Sequence, residues 1–426
     1  MTRHTLIRTC APIALASLLA CGPASAQTTL TFLMVTGSDS MAAAEALAKA
    51  YEAKHPDVTV EIEARPGGSE GDNLIKTRLA TSEMPDVFLY NSGSLMQALK
   101  PETALLDISD LPSQAGVAKD FKDVVSAGGK VYGVPFGTTM AGGIFYNKDI
   151  YRELGLSPPK TWAEFMANNE KIKAAGKVAV AQTYGATWTS QLFVLADFYN
   201  VQKAVPNFAA DYTANRAKYA TTPAALKGFE HLAEVHEKGL QNPDFGAATY
   251  EDGLAMVATG QAAHYPMLSF AVGALKQTNP DDLKNLGFFS QPGDDAAQNG
   301  LTVWMPMALF APATTPNKEV ARDFLDFVAS VEGCKVGMSV NTVQGPSVVQ
   351  GCDLPADVPP AISDMLPYFK EGRTAPALEF LSPIKGPSLE QITVEVGSGM
   401  RAPAEAAALY DEDVRKQAKQ LGLPNW

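Results

Sequence analysis

The stretch KVYGVPFGTTMAGGIFYNKDIYRELGLSPPKTWAE, residues 130–164, indicates the fold of this chain more clearly than any other. It begins with a loop rich in Gly and Pro, continues as the apolar run 140–146 and turns at Asn147-Lys148-Asp149. Thr161-Trp162-Ala163-Glu164 then forms a capping box, in which the threonine hydroxyl accepts from first-turn amides and the glutamate reaches back. This order of loop, buried strand and capped helix predicts a crossover from one α/β unit into another.

The same alternation of strands and helices continues outside this stretch. Residues 30–35 form a run that is apolar except for Thr31, as expected for a strand buried on both faces, and residues 40–54 predict an amphipathic helix. Val58, Val60 and Ile62 then alternate with polar residues in a half-exposed strand. Repeats of strand and helix are typical of parallel sheets, so the sequence predicts an α/β fold.

The N-terminus, residues 1–26, has the pattern of a secretory signal peptide. Two arginines precede the short apolar run 11–20, and Ala24-Ser25-Ala26 supplies a small-residue cleavage site. The run is too short to span a bilayer as a helix, which takes about 20 residues. A second interpretation uses Leu18-Leu19-Ala20-Cys21, which resembles a lipobox and would leave Cys21 acylated at a membrane. We predict cleavage after Ala26 and a periplasmic location.

Length and composition indicate a globular protein of more than one domain with an acidic surface. The 426 residues are too many for a single hydrophobic core, and contents of 46% apolar and 19% charged residues are ordinary. The formal net charge is −12 at pH 7 without a Lys/Arg cluster, which argues against nucleic acid as a partner. Mutual repulsion between soluble secreted molecules explains the acidic excess equally well.

The four cysteines agree with export. Cys10 and Cys21 fall within the predicted signal peptide, which leaves Cys334 and Cys352 as an isolated pair. In an oxidising compartment such a pair is most simply a disulfide, worth about 3 kcal/mol by loop-closure arguments. Because no histidine lies near the pair and zinc prefers four ligands, we predict no metal site there.

Motifs for catalysis and for cofactor binding are missing from the sequence. It contains no Gly-x-Ser-x-Gly, His-Glu-x-x-His, Gly-x-Gly-x-x-Gly or phosphate-loop motif, so no catalytic residue and no cofactor is predicted. His231 and His236 are off the i, i+4 spacing of a helical metal site, and we expect them at the surface. The paired carboxylates of glycoside hydrolases are paired in space, so a secreted carbohydrate-active enzyme stays an alternative.

Several separated motifs resemble one protein family in their order and spacing. Residues 82–87 (SEMPDV) resemble that family's turn into its third strand, and residues 260–270 (GQAAHYPMLSF) resemble a segment that ends in Gly-Ser-Trp, with Phe270 in place of the tryptophan. Residues 317–330 are similar to the helix after the second crossover, and residues 418–424 (AKQLGLP) to the usual ending. The chain thus resembles extracellular solute-binding protein family 1, the sugar-binding branch that includes maltose-binding proteins of ATP-driven (ABC) importers.

This resemblance implies a two-lobed periplasmic-binding-protein type II fold with mainly parallel sheets and a central ligand cleft. It places lobe one at residues 27–136 and 293–342, and lobe two at residues 137–292 and 343–426. The implied function is to capture a mono- or oligosaccharide as a monomer and deliver it to the membrane permease of an ABC importer, without catalysis. A binding protein for a non-sugar small solute is a further alternative.

Three Gly- and Pro-containing segments are the expected crossings between the lobes. They are Pro135-Phe136-Gly137, Pro292-Gly293 and Gly345-Pro346, where glycine and loop backbone can absorb the rotation of lobe closure. Each of them could equally be an ordinary loop.

Polar ligand contacts are expected between the lobes, in loops that follow the carboxyl ends of strands. Carboxylate, amide and hydroxyl groups suit sugar hydroxyls, which both donate and accept hydrogen bonds. Asp39 could equally cap the helix behind it, and exposed loop charges are usually just solvated. The polar candidates are Asp39, Asn91, Ser92, Thr138 and Thr139, with Glu70 and Arg373 as weaker ones.

Aromatic ligand contacts are expected because sugars present flat C–H faces that stack on rings. Trp188 falls in a polar loop before a helix, and Trp304 lies where the chain should return to lobe one. Phe270 matches the family aromatic that commonly lines the cleft. Trp162, inside the capping box, is interpreted as a packing residue.

Overall fold

The computed structural model describes residues 1–2, 27–36 and 38–426, and it also leaves the side chains of residues 38, 39 and 69 undescribed. The signal-peptide and lipobox predictions rest on residues 3–26 and therefore lie outside the described residues. The side chain of Asp39 does so too.

Strands and helices alternate along the described residues. The strands are β1 (Thr28–Val35), β2 (Val58–Arg65), β3 (Val87–Tyr90), β4 (Ser126–Ala127), β5 (Lys130–Val131), β6 (Gly133–Phe136), β7 (Met140–Asn147), β8 (Val178–Val180), β9 (Ala262–Leu268), β10 (Leu286–Ser290), β11 (Leu301–Trp304), β12 (Met307–Phe310) and β13 (Thr374–Pro376).

The α-helices are α1 (Ser38–Glu52), α2 (Gly68–Thr81), α3 (Ser94–Gln97), α4 (Pro101–Ala104), α5 (Lys119–Val124), α6 (Lys148–Glu153), α7 (Trp162–Ala174), α8 (Leu192–Ala196), α9 (Phe198–Ala204), α10 (Phe208–Thr213), α11 (Pro223–Glu237), α12 (Tyr250–Thr259), α13 (Ala271–Thr278), α14 (Lys318–Ala329), α15 (Val331–Val340), α16 (Pro360–Lys370), α17 (Leu378–Leu381), α18 (Leu389–Gly397) and α19 (Pro403–Gln420). Short 3-10 turns lie at Pro112–Ala115, Thr187–Gln191, Leu283–Asn285 and Ala296–Gln298.

A five-stranded sheet organises the first lobe, in the order β2-β1-β3-β12-β6. β1 is parallel to β2 and β3, whereas β12 is antiparallel to β3 and β6. Helices pack on the sheet through apolar side chains. Phe324 of α14, for example, contacts Phe32 of β1 and Tyr51 of α1 at ring-centroid distances of 5.4 and 5.1 Å.

A second sheet organises the other lobe, in the order β13-β11-β7-β9-β8 with β10 also paired to β7. The central strand β7 is antiparallel to β9, β10 and β11, and only the β8–β9 and β11–β13 pairs are parallel among the described strands of this sheet. The two-lobed α/β fold is therefore confirmed, but the expectation of mainly parallel sheets is wrong. The apolar run of β7 indicates that the strand is buried on both faces. Burial does not specify whether the neighbouring strands are parallel or antiparallel.

The capping box at the start of α7 is confirmed. Thr161 Oγ1 accepts from the Glu164 amide at 3.2 Å, and Glu164 Oε2 accepts from the Thr161 amide at 3.3 Å. Trp162, the first residue of α7, is buried and stacks on His231 with a ring-centroid distance of 3.8 Å. The expectation that His231 lies at the surface is wrong, because this indole covers it and burial lowers the pKa of His231 to about 3.

The chain crosses between the lobes three times. It passes from β6 to β7 after Phe136, as expected, and returns between Trp304 of β11 and Met307 of β12. The predicted crossing at Gly293 is wrong, because the Gly293 carbonyl accepts from the Trp162 amide at 2.7 Å inside lobe two. Strand β11 had been assigned to lobe one, yet it is hydrogen-bonded in the second sheet; the remaining lobe boundaries stay predictions.

The predicted third crossing at Gly345-Pro346 is wrong, because the residues after it still pack on lobe one. Val348 lies in the core of lobe one and Val349 pairs with Val117, and the chain enters lobe two only before Val358.

Hydrogen bonds nevertheless tie the Gly345-Pro346 segment to the first crossing. Thr139 Oγ1 donates to the Pro346 carbonyl at 2.8 Å, and the Gln344 amide donates to Thr138 Oγ1 at 3.1 Å. The Gly345-Pro346 segment thus runs beside the loop between β6 and β7. This side-by-side arrangement suits a hinge.

Cys334 of α15 and Cys352 form a disulfide, with a sulfur–sulfur distance of 2.04 Å, which confirms the predicted pair. The bond joins α15 to the loop after residue 346, and both of these segments pack on lobe one. It closes a short loop and so restrains the unfolded chain.

We expect the Cys334→Ser/Cys352→Ser double variant to lose about 3 kcal/mol of unfolding free energy or less, since loop-closure estimates often exceed measured values. Chemical denaturation of the parent and the variant measures the difference. Intact-mass analysis after alkylation under non-reducing conditions provides the control. Two alkylated thiols in native exported protein would contradict the prediction.

Candidate ligand-binding site

A cavity of about 450 Å³ lies between the two lobes. Lobe one contributes side chains from α1 and from the loop after β3, and lobe two contributes β11 and the segments around residues 188–195 and 268–270. The crossings at residues 135–140 and 304–307 and the segment 341–344 form part of the lining. The cavity is therefore bounded by both lobes and by the hinge, as expected for a central ligand cleft.

Two of the predicted aromatic residues form one wall of this cavity. Trp188 and Phe270 are half-buried, with ring centroids 6.0 Å apart, and Tyr250 lies behind them at 5.3 Å from Trp188. Thr189 holds the 3-10 turn that carries Trp188, because its hydroxyl donates to the Thr183 carbonyl at 2.9 Å. The packing fixes the ring orientation, so little rotamer entropy would be lost on stacking with a ligand.

Trp304 also lines the cavity, from the end of a strand. It lies on β11, opposite Met140 of β7, rather than in a loop, and its residue surface is 6% exposed. A Cβ on Gly142 would lie 2.6 Å from the indole, so the glycine makes room for the ring. Trp304 is thus both a core residue and a residue of the cavity wall.

The predicted polar residues separate into two groups. Asn91 and Thr138 line the cavity. The Thr138 hydroxyl accepts a hydrogen bond from the Gln344 amide, so its own O–H can still donate to a ligand. Ser92 and Thr139 are buried and hold the crossings, donating to the carbonyls of Pro306 and Pro346 at 3.0 and 2.8 Å. The hydroxyls of Ser92 and Thr139 therefore hold the backbone of neighbouring segments.

Glu70 and Arg373 lie away from the cavity lining. Glu70 is exposed in the first turn of α2. The Arg373 guanidinium lies 4.3 Å from the centre of the Tyr368 ring and donates to the Asn299 carbonyl and to Glu371. Neither residue lines the cavity of the candidate site.

A charged pair in the cavity was not predicted from the sequence. Lys385 Nζ lies 2.9 Å from Glu379 Oε2, and both side chains are part of the lining. The Glu379 carboxylate raises the pKa of Lys385, so the lysine is charged at neutral pH. No local signal marks these two residues, because one lies on the short helix α17 and the other in the loop six positions later, and they meet only in the folded chain.

His264 of β9 is a core residue. Its Nδ1 donates to the Ala179 carbonyl at 2.9 Å and its Nε2 accepts from the Tyr151 hydroxyl at 2.7 Å. Burial lowers the pKa of His264 to about 3, so the ring is neutral at physiological pH. It does not reach the cavity.

Clusters of potential metal ligands and membrane-spanning helices are both absent from the described residues. No group of three or more His, Cys, Asp or Glu residues in this part of the chain is arranged to hold a metal ion. None of the described helices is long and apolar enough to cross a membrane.

Two α/β lobes around a central cavity, joined by three crossings, define the architecture of a binding protein. The chain matches the family of bacterial extracellular solute-binding proteins over residues 36–333 and belongs to it. The resemblance seen in the sequence is thereby confirmed. Members of this family are binding proteins rather than enzymes, so the alternative of a secreted carbohydrate-active enzyme is dropped.

Curated relatives of the chain include proteins named for the sugars they bind. It is 25% identical to the multiple sugar-binding protein of Streptococcus mutans over 292 residues, and this match covers 66% of each chain, just under two thirds. It is also 25% identical to the melibiose/raffinose/stachyose-binding protein MelE of Bacillus subtilis over 327 residues, or 73% of this chain and 72% of MelE.

Solved structures share the whole fold. A chitin oligosaccharide binding protein superposes with a TM-score of 0.77 at 22% identity, covering 92% of this chain and 99% of the other. RafE in complex with raffinose superposes with a TM-score of 0.74 at 21% identity, with the same coverage. At these identities the likeness concerns the fold.

Proposed function

We propose that the protein is the substrate-binding component of an ABC importer and that it captures a mono- or oligosaccharide between its lobes. The observation that carries this proposal is the cavity between the lobes, with Trp188, Phe270 and Trp304 on its wall. Rings of this kind match the C–H faces of a pyranose, while Asn91 and Thr138 supply hydrogen bonds to hydroxyls. The sugar-binding names of several relatives support the same ligand class.

The proposal includes a cycle of closure and delivery. A ligand that touches both lobes favours the closed form, because only differential contact can shift a conformational equilibrium. The closed protein would then dock on the permease subunits of the importer as a monomer. An exported location follows from this role and agrees with the signal peptide predicted over residues 1–26.

A thermal-shift screen over mono- and oligosaccharides tests the proposal. A sugar at about 100 times its dissociation constant should stabilise the protein by roughly 2.7 kcal/mol, which gives a readily measured rise in melting temperature. Mass spectrometry of the recovered sugar provides the control, since a receptor returns its ligand unchanged. Stabilisation by amino acids, peptides or other non-sugar solutes alone would replace carbohydrate with that solute class.

A further inference from the structure

Residues 378–385 leave lobe two, touch lobe one and return. Leu378 and Ile384 are buried in a hydrophobic cluster of lobe two, whereas Phe380 between them packs against the core of lobe one. The Glu379 carbonyl lies only 2.7 Å from where a Cβ on Gly93 would stand, so the loop after β3 approaches this segment closely. Gly93 has a φ of +72°, which also favours glycine. The segment therefore spans the gap between the lobes.

The two side chains that this segment directs into the cavity form the ion pair described above. Leu378 and Ile384 anchor its ends, and Glu379 and Lys385 follow them directly in sequence. The Glu379 side chain is 19% exposed and that of Lys385 34% exposed, so both are reachable from the cavity. The bond to Glu379 uses one of the three N–H groups of Lys385.

Among the described residues of the cavity, this pair sets the charge balance. Among the described lining residues, Glu379 and Lys385 carry formal charge, and the others are apolar or neutral polar side chains, with Cys334 held in the disulfide. The two charges cancel, although the whole chain carries −12. A ligand with a net charge would find no uncompensated partner among these residues.

We propose that Glu379 and Lys385 are specificity-determining residues that select an uncharged ligand by binding two of its neighbouring hydroxyl groups. One hydroxyl donates to the Glu379 carboxylate while the next accepts from the Lys385 ammonium. Hydrogen bonds to charged groups are stronger than neutral ones, and they strengthen further when the ligand displaces water. This inference rests on the proposed function and names the sugar class as neutral rather than acidic or basic.

Two nearly isosteric variants, Glu379→Gln and Lys385→Met, test the inference. The probes are raffinose, lactose and diacetylchitobiose as neutral sugars, with glucuronate and glucosamine as charged ones. Each variant should bind the neutral probe that the parent binds about 10- to 100-fold more weakly, the loss expected for a charged hydrogen bond. Glu379→Gln should shift the preference towards glucuronate and Lys385→Met towards glucosamine, because each leaves one charge uncompensated. The charge-reversed double variant E379K/K385E should recover part of the neutral binding.

Glu371→Gln is the matched control, since it removes an acidic charge from the same lobe outside the cavity lining and should leave affinity unchanged. Circular dichroism and melting temperature establish that each variant is folded. If the parent binds a neutral probe and both variants bind it within about twofold of the parent, the pair only braces the segment and the inference is overturned while the proposed function stands. If the parent binds only a charged probe, selection of neutral ligands is overturned. Binding of none of these sugars overturns the proposed function and this inference with it.

Discussion

Replacing Trp188 by Ala is expected to weaken binding of the sugar found in the thermal-shift screen by about 2–4 kcal/mol, the scale of a buried hot spot. The indole lies on the cavity wall, and its packing on Tyr250 and Phe270 holds it in one orientation. Its removal takes away both contact area and a preorganised stacking surface. Phe270→Ala removes a smaller ring from the same wall and should fall at the lower end of this range. Isothermal titration calorimetry measures both losses.

Trp426→Ala is the matched control for this prediction. It removes the same side chain at the C-terminus, where the indole donates to the Thr213 carbonyl far along lobe two and does not line the cavity. Its affinity for the sugar should equal that of the parent. Trp304→Ala is less informative, because Trp304 is buried in β11 and its loss should lower stability as well as affinity. Parent-like binding by both the Trp188 and Phe270 variants would mean that the ligand lies elsewhere.

Trp162→Ala is expected to lower the unfolding free energy of lobe two by about 3–5 kcal/mol, the usual cost of removing a buried aromatic ring. The indole stacks on His231, contacts Phe165 and Phe193, and donates through Nε1 to Glu234 at 2.7 Å. The variant loses this packing, uncovers the imidazole of His231 and removes the indole donor from the Glu234 carboxylate, which keeps only its ion pair with Lys238. Calorimetric melting and chemical denaturation measure the effect.

Trp162→Phe separates packing from hydrogen bonding at this position. It keeps a ring over His231 but loses the indole N–H, so a cost of about 1–2 kcal/mol is expected. Sugar affinity should be the same in both variants, because Trp162 does not line the cavity. An unchanged melting temperature for Trp162→Ala would contradict its assignment as a packing residue.

Local features of the fold could be predicted from the sequence because their causes lie within a few residues of one another. The capping box at Thr161 and Glu164 satisfies backbone amides of its own first turn, and the structure contains both of its hydrogen bonds. The Cys334–Cys352 pair was predictable because no other cysteine follows the signal region. Trp188 and Phe270 could be proposed as ligand contacts from chemistry and from the family pattern, and both line the cavity.

Features that depend on which segments meet in space could not be predicted in this way. Burial of β7 is encoded in its apolar run, but the antiparallel direction of its neighbours is not. The return crossing was placed at Gly293 because Pro and Gly punctuate that loop, whereas Trp162 binds this glycine within lobe two and the chain crosses later. His231 was expected at the surface because nothing in the sequence shows that an indole from another helix covers it.

The sequence by itself determined the family, the two-lobed α/β architecture, the disulfide and the aromatic chemistry of the candidate site. These features depend on residue type and on spacing along the chain, which can be read without a three-dimensional structure. The tertiary structure alone decided that Ser92 and Thr139 hold the crossings and that Glu379 and Lys385 complete the cavity. The physical reason is that a binding cavity is assembled from short segments far apart in sequence, and the role of each polar side chain depends on the partner that folding places within hydrogen-bonding distance.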